Sequence, residues 1–97
     1  MSWAKYIKEK LKNGEMVSFR PRGNSMAGRI EDNQLVTVKP CEMNELAAGD
    51  VVLVKVNGRD YLHLIKAIDR GRYLIGNNKG KINGWVGFNC IFGKVVE

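Results

Sequence analysis

The sequence predicts a mainly β domain, a small coiled antiparallel sheet or barrel with one short N-terminal helix. Three observations carry this. Short runs of alternating or β-branched residues recur from Met16 to Val96, the pattern of half-buried strands. Turn signals separate them, above all Asn57-Gly58, the strongest two-residue hairpin signal. Helical spacing is confined to residues 1–14. A chain of 97 residues suffices for one domain with a modest core. Residues 1–97 are therefore read as a single domain, with a helix within 1–14 and a β domain over 15–97.

The elements follow in order. Ser2 is placed to cap a helix beginning at Trp3. Trp3, Ile7 and Leu11 recur every fourth residue and share one face. Lysines cover much of the rest, and Asn13-Gly14 supplies the stop. That face is expected to pack on the domain; a basic anchor on a membrane surface would need more apolar positions. "MVSFRPR" sets Val17 and Phe19 against Ser18 and Arg20. "LVTVKP" runs until Pro40, and "DVVLVKV" is the run richest in β-branched residues. "RDYLHLIKAID" returns after Asn57-Gly58, Arg70-Gly71 turns the chain into "RYLIG", and "CIFGKVV" closes it. About six strands result. "NNKGKING", Asn77 to Gly84, is read as an exposed hairpin loop. It lacks the GK[ST] and following helix of a phosphate loop.

Hydrophobic residues make up 44% and charged residues 27%, an ordinary globular balance. The net charge of +6 comes from scattered lysines and arginines. It reads as a solvated basic surface, with nucleic acid not excluded as a partner. No run of 18 apolar residues marks a transmembrane helix. The first residues lack the apolar core and cleavage site of a signal peptide, so a cytoplasmic location is expected. Cys41 and Cys90 form no CxxC pair and, with the single histidine His63, no zinc set. Two reduced, partly buried thiols are expected, and no metal or cofactor.

The segment "RGNSMAGRI", Arg22 to Ile30, carries the chemistry. Gly23 and Gly28 permit a tight turn around Ser25, because glycine tolerates positive φ. Ser25 is either a plain turn hydroxyl or a nucleophile that needs a base. His63 is the one histidine. Strict alternation places Tyr61, His63, Ile65 and Ala67 on one face, and Leu62, Leu64, Lys66 and Ile68 on the other. His63 and Lys66 then cannot both serve Ser25. A histidine in an apolar strand is also often a satisfied core residue, so the residues alone leave both readings open.

Several segments resemble the fold shared by signal peptidases and LexA-like self-cleaving repressors, over about Arg22 to Val96. "GNSMAGRIEDNQLVTV" is similar to the serine box of that superfamily, with an isoleucine five residues after the serine. "LAAGDVVLVKVNG" resembles its second box, and "YLHLIKAID" the strand bearing the general base. "YLIGNN" and "IFGKVV" resemble its late boxes. The resemblance implies a LexA/signal peptidase type of sheet and a hydrolase. Ser25 takes the nucleophile position. His63 takes the base position, which is lysine in bacterial signal peptidases and LexA-like proteins and histidine in archaeal and eukaryotic signal peptidases. The implied function is a minimal serine endopeptidase acting on a peptide or protein. The alternative is a non-catalytic peptide-, protein- or nucleic-acid-binding module on the same fold.

The oxyanion and turn positions implied beside Ser25 are Gly23, Asn24 and Met26, with the Ser25 N–H the first donor. Asn77, or in its place Asp69 or Asp60, is expected to support His63. Arg20, Arg22 and Arg29 flank the serine turn and are read as a contact for an acidic partner. The chain departs from the pattern in places. Ala27-Gly28-Arg29 replaces the proline after Ser-Met, Asn33-Gln34 replaces a Gly-Asp, and Asn77 stands where histidine-type members carry an aspartate. Gly23 stands where some signal peptidases carry a hydroxyl. No Ala-Gly or Cys-Gly bond precedes Ser25, so self-cleavage is disfavoured.

Overall fold

The computed structural model describes residues 3–96. A helix, α1 (Lys5–Lys12), precedes seven strands. They are β1 (Val17–Phe19), β2 (Val36–Lys39), β3 (Val51–Val56), β4 (Arg59–Asp69), β5 (Arg72–Gly76), β6 (Ile82–Gly87) and β7 (Ile91–Val95). They form one sheet in the order β1-β2-β7-β3-β4-β5-β6, with every pairing antiparallel. The mainly β fold with one short helix is thus as the sequence predicts.

Both faces of β3 are buried, which explains its unbroken apolar run. Val51 and Leu53 join a cluster with Ile7 and Leu11 of α1, Met26, Ile30 and Leu62. Val52, Val54 and Val56 join a second cluster with Ile65, Tyr73, Ile75, Val86 and Ile91. The helix covers the first cluster. The sheet covers the second by curling on itself: β6 reaches back over β3, where a Cβ at Gly84 would lie 3.7 Å from Val56. Cys41 and Cys90, both free and partly buried, pack at the edge of this second cluster.

Three expectations change in detail, and a fourth is not reached. The proposed Ser2 cap lies outside the described residues. The helix starts at Lys5 behind Ala4, which makes no side-chain capping bond, so Trp3 precedes the helix. Ala4, Ile7 and Leu11 are buried, whereas Trp3 is 51% exposed and sets its ring against Phe19 at 5.9 Å. Ala4 takes the buried position, and the Trp3 indole lies beside Phe19 of β1 instead. The loop read over Asn77 to Gly84 ends at Lys81, because Ile82–Gly87 forms the extra strand, β6. Its glycines hid it, since a strand interior rarely carries them.

The alternation along β4 also fails beyond Ile65. Leu62 and Leu64 join the first cluster and Tyr61 and Ile65 the second, the alternation expected. A bulge between Ile65 and Ala67 then shifts the register. Ile68 pairs with Tyr73, while Ile65 pairs with Ile75. Tyr73 and Ile75 belong to one cluster, and paired residues point the same way. Ile68 is therefore on the Ile65 side, and an extra residue has been absorbed. Asn57-Gly58 and Arg70-Gly71 both have positive φ at both turn residues, 50° and 80°, and 52° and 75°. This is the type I′ hairpin pattern.

Candidate active site

The serine turn is a single helical turn held from three sides. Its internal bonds run from Ala27 N to Asn24 O at 3.1 Å and from Ile30 N to Met26 O at 2.7 Å. Gly23 and Gly28 have φ of +111° and +96°, as a corner around Ser25 requires. Residues 31–34 strap the turn through two side chains. Gly23 N donates to Asp32 Oδ1 at 2.8 Å and Gly28 N to Glu31 Oε2 at 2.7 Å. The 77–81 loop clamps it from the side: Asn78 donates through its backbone to Ser25 O and through Nδ2 to Ala27 O. Met26 and Ile30 anchor the turn in the core beneath.

The start of a helical turn leaves N–H groups without intrahelical partners. Here the N–H groups of Asn24, Ser25 and Met26 have no acceptor among the described residues. Gly23, expected to share the oxyanion role, spends its N–H on Asp32. Ser25 is exposed and Met26 buried, so the two side chains point opposite ways from the turn.

Ser25 and His63 meet. Ser25 Oγ lies 3.3 Å from His63 Nε2. His63 sits in the middle of β4 opposite Val52 and is only 5% exposed. Tyr61 stacks on the imidazole, centroids 4.7 Å apart. Nδ1 lies 2.7 Å from Asn83 Oδ1. An amide oxygen accepts only, so Nδ1 carries the proton and donates to Asn83. That leaves the Nε2 lone pair facing the Ser25 hydroxyl, which donates to it. The pKa of His63 is lowered, chiefly because burial penalises the imidazolium. The Asn83 hydrogen bond opposes this, and the charges of Lys81 and Lys66 add to it. The ring is thus neutral, with the tautomer a general base needs.

The sequence does not single out Asn83; its candidates are Asn77, Asp69 and Asp60, and Asp60 is held by Lys8. Asn77 is buried but faces its own turn, where Oδ1 accepts from Lys79 N and Lys81 N. Asp69 is exposed at the far end of β4, paired with Arg72. Asn83 occupies a second bulge: Ile75 pairs with Gly84 and Gly76 with Ile82, leaving Asn83 unpaired between them. Such a bulge redirects a side chain, here onto His63. The one clue in the sequence was "INGW", an asparagine-glycine pair inside an otherwise apolar run.

A cleft of about 520 Å³ opens beside the pair. Arg20 and Arg22 line it, with Trp3 and Ile7 from the helical side and Phe19 from β1. Arg20 Nη1 donates to Asn33 O, and Arg29 is half-buried behind the turn. Asp60, also in the lining, is bound by Lys8 at 3.1 and 3.2 Å. Among the described residues no three His, Cys, Asp or Glu side chains gather as a metal site. No helix among them is long and apolar enough to cross a membrane.

A search of curated proteins and a search of solved structures each returned no match. The family model described as "Peptidase S24-like" matches residues 2–95. That span includes the serine turn, the β4 histidine and the β6 asparagine, and with it the chain belongs to the peptidase S24-like family.

Proposed function

We propose that the protein is a serine endopeptidase in which Ser25 is the nucleophile and His63 the general base. The observation that carries this reading is the 3.3 Å approach of Ser25 Oγ to the unprotonated face of a buried imidazole. That separation is at the long end of hydrogen bonding, as in many unliganded active sites.

His63 Nε2 takes the Ser25 proton while Oγ attacks the peptide carbonyl carbon. The carbonyl π electrons move to oxygen, and the N–H groups of Ser25, Met26 or Asn24, which have no acceptor among the described residues, are the donors available to the oxyanion. The tetrahedral intermediate collapses, the C–N bond breaks, and the imidazolium returns its proton to the leaving amine. Water then attacks the acyl-serine, His63 taking its proton and giving it back to Ser25. Throughout, Asn83 keeps Nδ1 as the donor, a role played by neutral asparagine in Cys-His-Asn peptidases. It stabilises the imidazolium less than a carboxylate does, and Lys66 and Lys81 oppose it further. A slow enzyme is expected. A substrate lying extended along β1, the outer strand on this side of the sheet, would present its carbonyl to Ser25.

The test is digestion of a diverse peptide library near pH 7.5–8, read by mass spectrometry, with Ser25→Ala and His63→Ala as controls. Cuts that vanish in both variants, with their circular dichroism unchanged, are the expected result. Identical spectra from the wild type and Ser25→Ala would refute the reading in favour of a binding module.

A further inference from the structure

The cleft beside Ser25 has a chemical character of its own. Its volume of about 520 Å³ is several times that of an apolar cavity able to hold a benzene ring, about 150 Å³. Trp3, Ile7, Phe19, Met26 and Leu62 give it an apolar floor and an aromatic rim. The Trp3 and Phe19 rings meet at 5.9 Å, and half of Trp3 remains exposed. A bond between small residues would leave this space unfilled.

The charges of the lining are not equivalent. Its two carboxylates are engaged: Asp60 by Lys8, and Glu31 by the Gly28 N–H. Neither guanidinium group is matched by a carboxylate among the described residues. Arg20 donates only to a backbone carbonyl. Arg22, exposed, has no partner among the described residues. Lys8, just outside the lining, offsets Asp60, which leaves two arginines against Glu31 alone. A guanidinium at the lip of an apolar cleft suits a carboxylate placed close to a buried side chain.

We propose that the cleft binds extended peptide segments that place a bulky apolar or aromatic side chain beside the scissile bond, with an acidic residue nearby to meet Arg22. The inference takes from the peptidase reading only the position of the scissile bond. The recognition itself needs no catalysis.

The test uses the Ser25→Ala protein, which removes cleavage from the readout. Trp3 in the cleft wall reports binding, with Trp85 on β6 as the only other tryptophan. The probes are blocked pentapeptides of sequence Glu-Ala-Phe-Ala-Glu, Glu-Ala-Ala-Ala-Glu and Lys-Ala-Phe-Ala-Lys. The first is expected to bind at least about tenfold tighter than the second, since the buried ring is lost. It is expected to bind about two- to fivefold tighter than the third, the range of a solvent-exposed ion pair. Arg22→Glu is exposed enough to leave the fold intact and is expected to reverse the glutamate-over-lysine preference. Equal binding of the first two peptides overturns the bulky-residue half of the proposal. An unchanged charge preference in Arg22→Glu overturns the acidic half, and no binding of the first peptide at millimolar concentration overturns both. If the library digestion is empty while these preferences hold, the catalytic reading fails and the recognition stands.

Discussion

Replacing Asn83 by aspartate is the most informative single change at this site. The amide oxygen of Asn83 accepts from His63 Nδ1 at 2.7 Å, and Asn83 is half-buried, so a carboxylate there keeps part of its hydration. A neutral hydrogen bond contributes about 1 kcal/mol net, and one to a charged group about 1.5–3. The aspartate therefore favours the imidazolium by about 1 kcal/mol or a little more, close to a tenfold gain in proton affinity. Asn83→Ala acts in the opposite direction. It removes the one interaction that raises the His63 pKa and leaves a buried Nδ1–H without its acceptor, costing about 1–3 kcal/mol of stability. His63 is the only histidine, so its Cε1 proton gives a single resonance in an untagged protein. The assay is an NMR pH titration of that resonance in wild type, Asn83→Asp and Asn83→Ala, paired with cleavage rates. The titration midpoint is expected to rise in the aspartate variant and fall in the alanine variant. Cleavage is expected to quicken in the first, and to slow in the second within the ~10²–10⁴-fold contribution of a general base. Midpoints that stay fixed, or move together, would refute the claim that Asn83 sets the tautomer and basicity of His63.

Three further outcomes are expected. Because burial lowers the folded-state pKa of His63, the unfolded chain takes up a proton at a higher pH than the folded one. Its stability contribution is full above about pH 6.5 and is lost progressively as the pH falls to the lower folded value. Urea midpoints measured from pH 8 to 5 are expected to show this fall, and His63→Gln to flatten it. Arg70 holds φ of +52° in its type I′ turn, a conformation costing a non-glycine residue about 1–2 kcal/mol and asparagine less. Arg70→Asn is expected to stabilise the fold by about 0.5–1 kcal/mol in thermal or urea unfolding. Lys8 holds Asp60, whose side chain is 8% exposed, and covers the Phe92 ring at 4.9 Å. Lys8→Met keeps the packing but removes the Lys8 ammonium from Asp60, and is expected to cost about 1.5–3 kcal/mol by urea unfolding.

How much of this was legible in the sequence depended on whether the signal was local. The apolar run of β3 and the type I′ turn at Asn57-Gly58 are local, and they appear where the sequence puts them. The serine corner is also local, because Gly23 and Gly28 announce positive φ on either side. The Ser25–His63 approach joins residues 38 apart in sequence. Periodicity says nothing about such a distance, and only the resemblance pointed to it. The two bulges were invisible for a different reason. A bulge is set by how a coiled sheet closes on its neighbours, so the strict period-two reading of β4 failed after Ile65 and Asn83 was lost inside an apparent loop. Asn77, in the resembling position, instead shapes the loop whose next residue, Asn78, grips the serine turn. The asparagine that meets the imidazole lies farther along the chain, at 83.

The central claim is that His63 is the base for Ser25, in a superfamily where lysine often holds that position. Lys66 lies close enough for its charge to act on His63, so the two must be told apart. The most direct measurement is kcat/KM for one cleaved peptide from pH 5 to 10, set beside the NMR titration of His63. Histidine as base predicts an acid limb that coincides with the His63 midpoint, below about 6.5, and a plateau above it. Activity that keeps climbing towards pH 10 and survives in His63→Gln would contradict it and transfer the base to a lysine.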